Sequence, residues 1–211
     1  HVFSSYDPEL YIPLTFLTYM VDFQLGGGAA WPFHAGNIFL HTLNAFLVAW
    51  WLTLVLKNRW VGVLAGLIFL VHPMHTEAVA WASARKDVLS TMFFFAALIA
   101  YHHEQEREDT RWYPSTLLRA GRWSVVFFLC GLLSKVMVIT LPAVLLLLDW
   151  RDGKLLRREQ IKEKWPYVVL AVIFGIIAIG GKEKLVAATD TLTKLLMAAK
   201  STVFYGEQFF W

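Results

Sequence analysis

Nineteen consecutive residues, Ile38–Leu56, carry only four polar side chains: His41, Thr42, Asn44 and Thr53. A helix needs about 20 mainly apolar residues to cross the hydrocarbon core of a bilayer. Inside lipid a backbone satisfies its own hydrogen bonds only as a helix or a closed barrel, so this run constrains the fold more than any other stretch. The rest of the chain shares the bias. Of its 211 residues, 57% are hydrophobic and 17% charged, against about 25% charged in a soluble domain. The expected class is therefore all-α, a polytopic transmembrane helical bundle with the lipid bilayer as its first partner. A net charge of +3 is too small to argue for nucleic acid, and the single cysteine, Cys130, excludes a disulfide framework.

Residues 1–31 read as an external loop holding an interfacial amphipathic helix, Pro13–Leu25, ended by Gly26-Gly27-Gly28. Residues 32–211 read as a transmembrane bundle of about six passes plus the start of a further helix. The passes are Ile38–Leu56, Trp60–Val71, Val88–Tyr101, two within Arg122–Trp150, and Trp165–Gly180, with Lys194–Trp211 opening the next. His102–Gly121 reads as a polar loop and Arg151–Lys164 as a basic amphipathic segment. The chain opens on His1 and closes inside an apolar pattern, as a fragment of a longer protein would.

The connections 57–59, 104–122 and 151–164 hold 12 of the 19 Lys and Arg residues. The positive-inside bias puts them on the cytoplasmic side. Arg122–Trp150 then has to be two short passes that meet at Ser134-Lys135, because a single helix would carry Arg151–Lys164 to the wrong side. Each pass is short for a core about 30 Å thick, so Lys135 is expected to face a water-filled cavity open to the outside. All ten tryptophans lie near predicted segment ends, as interfacial belts do.

Two polar features stand out against this background. His34, Asn37, His41 and Asn44 recur at spacings of three and four, which places them on one helix face. Hydrogen bonding between helices and a ligand role are both open to this intramembrane stripe. The second feature runs from His72 to Asp87 (HPMHTEAVAWASARKD) between two apolar runs, on the outer side in this orientation. Ionisable groups at a bilayer edge mark a candidate functional site. Arg85 and Lys86 open a helix where cations are not otherwise expected, and such a pair suits a phosphate or lipid headgroups. Asp87 is placed to cap the helix beginning at Val88, to bind a metal or to accept a proton. His72 and His75, or His75 and Glu77 on an irregular turn, offer ligands to a divalent metal, the one cofactor the pattern leaves room for. Haem fits poorly: His34 and His41 find no partner histidines at matching depth on a second helix.

The stretch His72-Pro73-Met74-His75-Thr76-Glu77-Ala78-Val79-Ala80-Trp81-Ala82-Ser83-Ala84-Arg85-Lys86-Asp87-Val88-Leu89-Ser90 resembles the membrane portion of the transmembrane-and-tetratricopeptide-repeat proteins. These are O-mannosyltransferase-like proteins of the GT-C type. Three further stretches resemble the family in order: Pro13–Tyr19 with Phe33, His34, Asn37, His41 and Asn44; Leu132–Pro142 running to Asp149-Trp150; and Phe204-Tyr205-Gly206. The resemblance implies a GT-C-like fold and transfer of a sugar from a polyprenyl-phosphate donor to an acceptor hydroxyl, with a protein as a candidate acceptor, on the periplasmic or luminal face. Arg85, Lys86 and Lys135 would then stabilise the departing phosphate, and Asp87 or Glu77 would take the acceptor's proton. The family's characteristic acidic pair lies in the first external loop. Asp7 and Glu9 stand in that loop and do not match it, so the resemblance places the pair upstream of this sequence. The implied location is a bacterial inner membrane, or the endoplasmic reticulum in a eukaryote. A non-catalytic subunit that scaffolds a larger membrane assembly is the alternative. A transporter would show paired internal repeats, and none is visible.

Overall fold

The computed structural model describes residues 11–110, 123–153 and 163–186, together with Lys200, Val203 and Phe204. Expectations for His1–Leu10, Arg111–Gly121, most of the basic segment after Gly153 and the further helix from Lys194 fall outside the described residues or rest on isolated positions. Every regular element among the described residues is helical.

Helix α1 spans Pro13–Gly26, with Pro at its start and Gly27 in the left-handed region (φ 59°) at its end. Proline suits the first turn because the amide it lacks would be unpaired there anyway, and glycine enters the left-handed region without strain. α1 turns Pro13, Thr15 and Asp22 inward and leaves Phe16, Met20, Val21, Phe23 and Leu25 exposed. Thr15 and Asp22 thus face the interior, while the exposed side of α1 is mainly apolar.

α2 (Trp31–Leu56) and α3 (Arg59–Val71) form an antiparallel hairpin joined by Lys57 and Asn58. The Asn58 side chain accepts from the Trp60 and Val61 amides at 3.0 and 3.3 Å, capping α3. Gly62 and Gly66 bring the backbones together. A Cβ added at Gly62 would lie 2.5 Å from the Ala49 carbonyl, and one at Gly66 would lie 2.7 Å from that of Ala45. Small residues four apart permit this close approach.

After α3 the chain makes a short 3-10 turn, Pro73–His75, then α4 (Thr76–Ala80) and a second 3-10 turn, Ala82–Ala84. α5 then runs Arg85–Thr110. It differs from the sequence expectation at both ends. It begins three residues before Val88, and it continues through the polar residues after Tyr101, where Glu, Gln and Arg are strong helix formers. α6 (Trp123–Ser134) and α7 (Leu141–Arg151) flank an extended Lys135 (φ −161°, ψ 129°) and a 3-10 turn, Val136–Thr140. The chain reverses there. Ser124 donates to Ala97 O, Ser134 O accepts from Thr15, and Asp149 returns to Tyr101. α8 spans Trp165–Val186. Phe128, Leu132, Leu141, Leu145 and Tyr167 fill the centre at 0–1% exposure.

Two ends result. At one, the basic end, Arg151 donates to Val55 O and Lys164 pairs with Asp149. The other, the motif end, carries α1, the His72–Asp87 segment and Lys135.

α2 is the one described helix long and apolar enough by itself to cross a membrane. α3 and Pro73–Ala80 make a second span only as a pair bent by 52°, and Trp123–Ser134 and Trp165–Ile179 are apolar but shorter. The apolar core shares the interior with polar groups, and large apolar side chains also cover the surface. Asn37, His41, Asn44, Arg85, Ser124, Asp149 and Lys164 are buried, while Phe39, Trp60, Leu64, Ile68, Ile176 and Ile179 are exposed. Among the described residues seven tryptophans are exposed, most of them at helix ends, and Trp51 is buried.

Candidate functional site

The motif end is built around Arg85, which is 3% exposed. Its Nε donates to Asn37 Oδ1, and one terminal nitrogen donates to Asp22 Oδ2 at 2.6 Å and to Phe33 O at 2.8 Å. The guanidinium carbon lies 5.6 Å from the Tyr19 ring centroid. Gly36 makes room: a Cβ there would stand 2.4 Å from the guanidinium. One side chain thus joins α1, α2 and α5. A guanidinium suits such a place because its planar donors satisfy several acceptors at once.

The stripe on α2 supplies the next layer. Asn37 Nδ2 donates to Trp81 O at 3.1 Å and Val79 O at 3.4 Å. His41 Nε2 lies 3.1 Å from Leu70 O, and Asn44 Nδ2 donates to Val88 O at 2.8 Å. These partners are backbone carbonyls in and around the irregular segment, where a broken helix leaves carbonyls without helical donors. His34, the fourth member, is exposed. Tyr19 adds a bond from α1, its hydroxyl donating to Ala82 O at 2.9 Å. Burial pushes that phenol above its usual range, with Arg85 opposing.

Asp87 sits in the first turn of α5 and pairs with Lys135. The expected capping role is not what its carboxylate does, because the helix has already begun at Arg85. The pair joins residues 48 apart in sequence, with side chains 36% exposed at Asp87 and 27% at Lys135. Thr15 donates to Ser134 O at 3.1 Å, which ties α1 to the reversal. Lys86 is half-buried and has no hydrogen bond or ion pair among the described residues. Glu77 lies exposed in the first turn of α4.

His72 and His75 lie near one another, with ring centroids 6.1 Å apart. His75 packs 4.2 Å from Phe69 and 5.3 Å from His41. His72 Nδ1 accepts from the Met74 amide at 3.3 Å. Burial holds the His75 imidazole below its ordinary range, and His41 and His72 add to this. Among the described residues no group of three or more His, Cys, Asp or Glu is arranged to hold a metal ion.

The sequence assigns no role to Asp22 or to the pair Asp149–Lys164. Asp22 is the one charge in Pro13–Leu25, and a lone carboxylate in an apolar helix signals a partner. At the basic end Asp149 and Lys164 are 6% and 3% exposed. Tyr101 donates to Asp149 Oδ1 at 3.2 Å, and Tyr167 donates to Ser124 Oγ at 2.7 Å. A small cleft beside them is lined by residues including Trp51, Tyr101, His102 and Arg151.

Comparison with known proteins places this sequence in a lineage. Protein O-mannosyl-transferase Tmtc2 of Drosophila melanogaster is 30% identical over 164 residues, 77% of this chain and 17% of its own length. Protein O-mannosyl-transferase TMTC1 of Homo sapiens is 34% identical over 142 residues, 66% of this chain and 16% of its own. The Xenopus laevis tmtc2 protein is 29% identical over 205 residues, which cover 95% of this chain. This chain belongs to the TMTC family. It spans about a fifth or less of the length of these TMTC relatives. No family model and no solved structure matches it.

Proposed function

We propose that this chain is the membrane core of a glycosyltransferase of the protein O-mannosyl-transferase type, with a GT-C-like multi-pass fold. Its donor is a polyprenyl-phosphate sugar, bound at the motif end on the periplasmic or luminal face. The large apolar side chains exposed along α2, α3 and α8 support a bilayer-embedded bundle, and Arg151 beside the end of α2 at the other end supports the orientation. The observation that carries the site is the meeting of Asp87 with Lys135 beside half-buried Lys86, in a chain whose relatives bear that activity in their names.

In the proposed reaction the acceptor hydroxyl oxygen forms a bond to the anomeric carbon, and the bond from that carbon to the phosphate oxygen breaks. The phosphate leaves with the electron pair. Lys135 and Lys86 stabilise its charge, and the acceptor's proton passes to a carboxylate, here assigned to Asp87. Arg85 is a positioning residue on this reading. It holds α5, and with it Lys86 and Asp87, at a fixed place relative to α1. Glu77 lies on the exposed rim, where it meets the acceptor rather than the donor.

The test is transfer of radiolabelled mannose from polyprenyl-phosphate mannose to a Ser/Thr-containing peptide by the full-length protein. Wild type is expected to transfer, and Lys135→Ala is expected to lose transfer while remaining folded. A folded wild type that neither binds donor nor transfers sugar would turn the reading toward a scaffold subunit.

A further inference from the structure

We infer that Asp87 is a built-in competitor for the anion site on Lys135: a phosphate-bearing ligand enters by displacing the carboxylate from the ammonium. The inference rests on the donor site proposed above and adds how that site is kept closed when empty.

Both backbones are anchored. The Lys135 amide donates to Gly131 O at 2.8 Å, and its carbonyl accepts from the Val138 amide at 3.3 Å. The Asp87 carbonyl accepts from Thr91 Oγ1 at 2.7 Å and from Ser90 Oγ at 3.1 Å. Exchange therefore needs only the flexible four-carbon stem of Lys135 to swing. The two ion pairs of the motif end differ in their access to water. Arg85–Asp22 is 3% and 11% exposed, and Arg85 also serves Asn37 and Phe33 O. Breaking it would strand a buried charge. Lys135–Asp87 is 27% and 36% exposed, and a pair so hydrated contributes little. Opening it therefore costs little, and the single charge of a phosphodiester donor replaces that of the carboxylate on Lys135, which binds phosphate as a point charge. A phosphomonoester carries more charge still.

The test is equilibrium binding of a polyprenyl phosphate to the full-length protein in phosphatidylcholine nanodiscs, with inorganic phosphate as a lipid-free probe. Asp87→Asn removes the competing charge and keeps the side chain's size. It should bind about fivefold more tightly than wild type, the worth of a partly exposed ion pair. Asp87→Ser makes the same comparison should the asparagine variant fail to fold, and Asp87→Glu, which keeps the charge, should bind as wild type does. Tightening with both probes assigns the effect to the phosphate itself, and tightening with polyprenyl phosphate alone assigns it to the lipid-linked form; either supports the inference. Equal or weaker binding by the uncharged variants overturns the competitor and leaves the donor site standing. Wild type and Asp87→Asn that bind neither probe overturn the donor site and the inference together.

Discussion

Arg85 and Asp87 stand two residues apart on α5, and each holds an opposite charge, yet the two pairs sit in different media. Arg85–Asp22 is closed over by α1, α2 and Tyr19. Lys135–Asp87 keeps about a third of its surface in solvent. At the basic end Lys164–Asp149 repeats the buried type, with Tyr101 in place of Tyr19. Burial, more than charge, sorts these groups. A buried pair gives little net stability over an apolar substitute, but removing one partner is expensive. An exposed pair costs little to break, so it is available for exchange with a ligand.

The largest expected effect comes from breaking the buried type. Asp22→Ala or Asp149→Ala should destabilise the protein by about 3–5 kcal/mol, read as loss of folded material in detergent by thermal melting. Next comes crowding without a change of charge. Gly36→Ala puts a Cβ 2.4 Å from the Arg85 guanidinium, and overpacking of this kind costs about 1–3 kcal/mol. Asp87→Ala should change stability by no more than about 1 kcal/mol while abolishing sugar transfer in the proposed reaction. Equal destabilisation by Asp22→Ala and Asp87→Ala would erase the distinction between the pairs.

The smallest effect concerns pH. His75 is held below its ordinary range by burial, so its neutral form is the one that packs against Phe69. The stability this contributes is present above the unfolded value, about 6.5, and is lost as pH falls through the lower folded value. Amide protection factors in residues 72–84, taken relative to the intrinsic exchange rate at each pH, should therefore fall as pH drops below about 6.5, and His75→Gln should remove that fall.

How much of this was legible in the sequence depends on range. α2 follows from an uninterrupted apolar run, and α1 from a proline at one end and glycines at the other. The reversal at Lys135 follows from keeping Arg151–Lys164 on the same side as the other basic connections. The stripe was legible as a face through its spacing, but its partners are carbonyls of a segment that only the fold brings there. Arg85 reads in sequence as one half of a cationic pair with Lys86. Its burial depends on Asp22, 63 residues away, which no local pattern reveals. α5's extension beyond Tyr101 was local information, since Glu104-Gln105-Glu106-Arg107 favours helix; the change from apolar to polar residues concealed it.

The most direct measurement compares Arg85→Ala with Lys135→Ala in the full-length protein, scoring thermal stability and polyprenyl-phosphate binding on the same preparations. The expectation is that Arg85→Ala melts far below wild type, while Lys135→Ala melts close to wild type and loses binding. A Lys135→Ala protein that binds normally, or an Arg85→Ala protein that keeps its stability and loses only binding, would contradict it.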